Sequence, residues 1–205
     1  MQHIVALSGV AVLIRHWFEI DLDDASMEHG VRIELRELAA HPHRGSESAA
    51  QLVTADRPLW RADLFDRLTD PPGSFAVAHY HAQFEGNEPC SRVWDAQLSV
   101  DPWVWLDRQI ASVGAEGGRD PWPVRAADAA ELRRLSGSIV GLAREVGPDR
   151  CSSPAQCYEL TRDVAGTVQL MAKYLRRPEL LDRRWTSRWL ESGIEGEEGT
   201  DSSRA

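Results

Sequence analysis

The chain reads as an α+β protein: an N-terminal antiparallel β-sheet with one face covered by a C-terminal set of three to four helices, two of which form an antiparallel hairpin. Three observations predict this. Segments before residue 100 alternate apolar and polar residues, segments after residue 101 repeat apolar residues three and four apart, and a helix-start signature, Asp101-Pro102, separates the two halves. A length of 205 residues with 42% hydrophobic and 27% charged residues suits one sizeable core. We expect a single domain over 1–190, β-rich over 15–100 and helical over 101–190, followed by a disordered acidic tail over 191–205.

The first apolar run, "IVALSGVAVLI" from Ile4 to Ile14, is shorter than the roughly 20 residues that cross a bilayer. No Lys or Arg precedes it, and Arg15 and His16 stand where a signal peptide would carry small residues. It reads as a buried strand or as an extension upstream of the domain. Four further strands follow from period two. In "FEIDLD" Phe18, Ile20 and Leu22 oppose Glu19, Asp21 and Asp23. In "VRIELREL" Val31, Ile33 and Leu35 oppose Arg32, Glu34 and Arg36. In "WRADLFDRL" Trp60, Ala62 and Leu64 oppose Arg61, Asp63 and Arg67. In "GSFAVAHYHAQFEGNEPC" the apolar set is Ala76, Ala78, Tyr80, Ala82 and Phe84, and the polar set is His79, His81, Gln83 and Glu85. A weaker strand candidate runs from Arg92 to Val100.

The helical half opens with Asp101 as cap and Pro102 at the first helical position, and carries Trp103, Leu106, Ile110 and Val113 on one stripe. The next helix starts at a capping box, Asp128 to Glu131, repeats Leu132, Leu135, Ile139, Leu142 and Val146, and stops at Gly147-Pro148. A third begins at another capping box, Ser153 to Gln156, and is expected to pack antiparallel to the second. Pro178 opens a short last helix bearing Trp185 and Trp189, beyond which "ESGIEGEEGTDSSRA" has too little apolar area to offset the entropy of ordering.

A net charge of −9 argues against non-specific binding to nucleic acid or to an anionic membrane. Three cysteines, Cys90, Cys151 and Cys157, are too few and oddly numbered for a disulfide framework. They read as buried or free thiols in a reducing compartment, the cytoplasm by default.

All seven histidines precede residue 82, and two His-x-His pairs occur, His41/His43 in a turn and His79/His81 on a strand. Alternate strand residues share a face, so His79 and His81 can converge on one ion. With Glu85 on the same face they offer two imidazoles and a carboxylate, a set associated with non-haem iron or manganese. A returning Cys90 thiolate would shift the preference to zinc. Here the stretch resembles the first motif of the cupin family, through Gly73, His79, His81 and Glu85. It departs from that motif at Arg92, where a Gly is expected, and no later His supplies a second motif; only His41 or His43 could stand in. A closed cupin barrel would also have to bury Arg32, Glu34, Arg36, Arg61, Asp63 and Arg67, so an open sheet with a solvated polar face is expected instead. On that face the residue types suit hydrolysis, with Glu85 or Asp63 as base and Arg61 holding an anionic group.

The linked phrases "TADRPLWRADLFD", "PPGSFAVAHYHAQFEGNEPCSRVWD" and "DPWVWL" also resemble an uncharacterised family of small proteins from high-GC bacteria, for which no activity is implied. The sequence thus carries two functional expectations. One is a divalent-metal or hydrolytic site at His79 and His81 holding Zn, Fe or Mn. The other is a non-catalytic module whose Trp-rich C-terminal helices and acidic tail meet a protein partner or a second copy of the chain.

Overall fold

The computed structural model describes residues 2–20, 26–40, 53–114, 124–147 and 153–157. The His41/His43 pair, most of the third expected helix, the last helix and the acidic tail lie outside the described residues. Five strands form one antiparallel meander in chain order: β1 (Gln2–Ala6), β2 (Val10–Ile20), β3 (Met27–Ala40), β4 (Val53–Arg67) and β5 (His79–His81). A small hairpin, β6 (Phe84–Glu85) and β7 (Glu88–Pro89), follows, and then three helices, α1 (Ala96–Val100), α2 (Pro102–Ser112) and α3 (Ala126–Val146). The architecture is α+β with an antiparallel sheet, and no helix among the described residues is long and apolar enough to cross a membrane.

Period two sets which side chains meet. The register joins Ile14, Ile33 and Ala62 in one row across β2, β3 and β4, and Arg15, Arg32 and Asp63 in the next. The first row faces the helices and the second faces away, because successive residues of a strand point to opposite sides. Ile14, Ile33 and Leu64 from the sheet meet Leu98, Leu106 and Leu132 from the helices in one core, none of them more than 1% exposed. Each such burial is worth about 1.5–3 kcal/mol. Gly30 sits between Trp17 and Phe65 in a row of the outer face. Its φ is 154°, and a Cβ there would lie 2.2 Å from the Leu64 carbonyl oxygen, so β3 and β4 meet at a distance only glycine permits.

Four local expectations are corrected. The run from Ile4 to Ile14 is two strands, because Leu7-Ser8-Gly9 turns the chain and the Leu7 amide donates to the Val10 carbonyl at 2.8 Å. The stretch from Ala76 to Glu85 is not one strand. The Asp66 carboxylate accepts from Gly73 N (2.7 Å), Ser74 Oγ (2.7 Å) and Phe75 N, which holds Phe75 at φ 52° and delays β5 until His79. The segment from Arg92 to Val100 keeps only a bridge between Val93 and Tyr80, and then becomes α1, capped by Asp95 Oδ1 accepting from Gln97 N at 2.9 Å. The Asp128 capping box fails as a cap. The helix begins earlier, at Ala126, and Asp128 accepts instead from Ser8 N (3.0 Å), Ser8 Oγ (2.5 Å) and Gly9 N (2.9 Å), which clasps the first hairpin to α3.

Two caps stand where the sequence puts them. Asp101 Oδ1 accepts from Val104 N at 3.0 Å ahead of α2, and Ser153 Oγ accepts from Gln156 N at 3.3 Å. The thiol reading changes as well: Cys90 is a free, exposed thiol, whereas Cys157 is buried and disulfide-bonded.

Candidate metal centre

The pairing of β4 with β5 sets His81 against Arg61, Tyr80 against Ala62 and His79 against Asp63. Ala62 and Tyr80 belong to the helix side, where the Tyr80 ring lies 5.4 Å from that of Trp105. Asp63, His79 and His81 therefore share the opposite face. Their ligand atoms converge: Asp63 Oδ2 is 3.6 Å from His79 Nε2 and 3.4 Å from His81 Nε2.

The outward nitrogens define the tautomers. His79 Nδ1 lies 2.8 Å from the Val77 carbonyl oxygen, and His81 Nδ1 lies 2.6 Å from that of Ser91. A carbonyl oxygen only accepts, so each Nδ1 carries the proton. In the neutral rings both Nε2 lone pairs then point at an anionic oxygen, and His79 Nε2 has no hydrogen-bond partner although it is fully buried. Desolvation depresses the His79 pKa, against the pull of Asp63, and keeps that ring neutral.

A network of ion pairs surrounds these three residues. Arg32 donates to both oxygens of Asp63, at 2.6 and 3.0 Å, and to Glu19 Oε1 at 2.5 Å. Glu34 accepts from Arg15 (2.7 Å), Arg61 (3.1 Å) and Arg36 (3.3 Å). Burial pushes the Asp63 carboxyl up, but the Arg32 guanidinium, by its charge and its hydrogen bonds, and the charge of Arg61 outweigh it, and the group stays ionised well below the usual carboxylate range. Glu34 behaves alike, its desolvation overcome by Arg15, Arg61, Arg32 and Arg36. With Arg92 bonded to Glu19 and Glu28, five guanidinium groups meet four carboxylates. The surroundings carry one net positive charge when the histidines are neutral.

This face is buried, not solvated as expected. Asp63 and His79 are 0% exposed and His81 is 4% exposed, because residues 84–94 fold back over them. The Phe84 ring lies 6.3 Å from that of His81 and 5.4 Å from the Arg61 guanidinium, and the Trp94 ring lies 5.3 Å from that of His79. The cover is one layer thick, since Trp94 itself is 57% exposed.

Of the residues singled out in the sequence, the structure brings Asp63, His79 and His81 together. Asp63 lies among the ligand atoms; it had been expected only as a base. Arg61 is engaged with Glu34 and Phe84. Glu85 is exposed in β6 and Cys90 is exposed beside β7, and neither joins the convergent group. His41 and His43 lie outside the described residues. Sequence reasoning assigned no role to Arg32 and Glu34, yet a signal was present: Arg-x-Glu in β3 against Arg-x-Asp in β4 pairs opposite charges in both rows in the observed antiparallel register.

Comparison with protein-family models, with curated proteins and with solved structures finds no match for this chain.

Proposed function

We propose that Asp63, His79 and His81 form a divalent-metal centre, with zinc as the preferred ion, and that its chemistry is hydrolytic. The observation that carries this reading is the pair of separations, 3.4 and 3.6 Å, between Asp63 Oδ2 and the two Nε2 atoms. They exceed the 2.7–3.2 Å of an N–H···O hydrogen bond. They lie nearest the edge of a tetrahedron with metal-ligand bonds of about 2.0–2.1 Å, which is roughly 3.3–3.4 Å. An octahedral ion at about 2.1 Å would need cis edges near ~3.0 Å, which favours zinc over iron or manganese. The Nδ1–H groups given to Val77 and Ser91 are the outer-sphere bonds that aim Nε2 at a metal.

Three protein ligands leave a fourth position, the pattern of a catalytic rather than a structural zinc site. A zinc ion there would supply an activated water for attack on an ester, amide or phosphoryl group. The chain's own contribution is electrostatic. Arg32 fixes Asp63 with two hydrogen bonds, and the excess positive charge of the network favours an anionic fourth ligand, whether hydroxide or an anionic substrate. Phe84 and Trp94 exclude bulk water, so a substrate enters by displacing this thin cover.

Elemental analysis of untagged protein tests the reading. In the oxidised protein one equivalent of zinc is expected, falling to background in a His79→Ala/His81→Ala variant that keeps its circular dichroism. Equal metal in both proteins, or none in the parent after incubation with zinc, would sink it.

A further inference from the structure

On the helix side of the sheet lies a second group of histidines that the centre above does not use. His16 on β2 pairs with Val31, and His29 on β3 pairs with Phe18, so the two histidines are diagonal neighbours on one face. Their ring centroids are 6.0 Å apart. The helical turn at 153–157 delivers Cys157 beside them, and the His16, His29 and Cys157 ligand atoms all lie within 4.8 Å of one another. All three residues are buried: His16 is 1% exposed, His29 2% and Cys157 0%. Neither ring nitrogen of His16 has a hydrogen-bond partner, and Nδ1 of His29 has none. A buried polar atom left unbonded costs about 1–3 kcal/mol, so two such imidazoles turned towards a sulfur require an explanation that packing does not give.

We propose that His16, His29 and Cys157 form a second, redox-gated metal site, which takes a thiophilic divalent ion such as zinc when Cys157 is a thiolate and loses it when Cys157 is in its disulfide. Two neutral imidazoles and one thiolate are a zinc-type donor set. The described state is the oxidised one, with Cys157 disulfide-bonded and its sulfur unable to act as a thiolate. A dithiol reductant opens the site by thiol–disulfide exchange. It transfers two electrons and two protons to the disulfide, giving two thiols, and itself becomes a disulfide. The Cys157 thiol then releases its proton to solvent as the metal binds. A disulfide-class oxidant reverses the sequence and expels the ion. Desolvation, followed by the charge of His29, depresses the His16 pKa to about 3, so that ring needs no deprotonation to serve as a ligand near neutral pH.

The site is independent of the Asp63 centre, and cobalt(II) separates them, because only a thiolate ligand gives an intense near-ultraviolet charge-transfer band. The probe is cobalt(II) added to full-length Cys90→Ser protein, either oxidised or reduced with a dithiol and desalted without oxygen. A thiolate band is expected in the reduced protein only. It should be lost in Cys157→Ser and in His16→Gln, and retained in His79→Ala/His81→Ala. The small Cys157→Ser change guards against misfolding of the histidine variant. Absence of the band after reduction, or its persistence in Cys157→Ser, would overturn the proposal.

Discussion

The two faces of the sheet bury histidines in opposite company. On the helix side His29 stands beside the buried Asp66, and His16 makes no hydrogen bond through either ring nitrogen. On the other side His79 and His81 share Asp63, and arginines and carboxylates alternate across three strands. Burial is equally complete at Asp63 and at Ile14, both 0% exposed, yet it is achieved by different means. One face is mostly apolar, whereas the other sets arginines against carboxylates. A matched charge network gains little over an apolar core, but it is costly to unbalance.

The largest effect should therefore come from removing one partner. Asp63→Ala leaves Arg32 buried without its bidentate acceptor, and we expect a loss of about 3–5 kcal/mol in urea unfolding at pH 7 with a chelator present. Replacing both partners, Arg32→Met with Asp63→Leu, should recover most of it. A loss below ~1 kcal/mol in the single variant would show that the network is dispensable.

The helix side should respond to acid. The folded pKa of His16 is depressed from 6.5 to about 3, so between these values the unfolded chain binds more protons than the folded one. The stability this group contributes is complete above pH 6.5 and declines as pH falls towards 3, by about 1 kcal/mol per pH unit. His29 and His79, also depressed by desolvation, act in the same direction. Denaturation midpoints at pH 7, 6 and 5 should fall in order, and His16→Phe should flatten the trend. A slope unchanged by that substitution would remove His16 as its source.

A smaller loss, of roughly 1–2 kcal/mol, is expected from Asp128→Ala, which leaves the Ser8 and Gly9 amides without their acceptor. Hydrogen exchange should accelerate at Ser8 and Gly9 and remain unchanged at Ile33. Uniform acceleration would mean that the clasp supports the whole domain.

The two faces also differ in how far they can be read in advance. Period two names the core of β2, β3 and β4, because a side chain's face depends only on its parity along the strand. The same rule places Asp63, His79 and His81 on one side but does not reveal their burial. The cover comes from residues 84–94, whose return depends on tertiary contacts: Arg92 to Glu19 and Glu28, and Val93 to Tyr80. Convergence on Asp63 required the β4–β5 register, which Asp66 sets through the 73–75 turn. The cap at Asp101 was legible because its acceptor and donor are three residues apart. The role of Asp128 was not, since its donors lie 119 and 120 residues away.

That last separation bears on the order of events during synthesis. The first hairpin emerges from the ribosome early, but the carboxylate that secures it follows only after more than half of the chain has been made. Until then β1 is an edge strand held by β2 without the clasp to α3. The contact that completes the amino-terminal edge is thus among the last available, and such distant closures slow folding. Nascent chains ending before α3 should expose β1 to proteases that the finished protein resists.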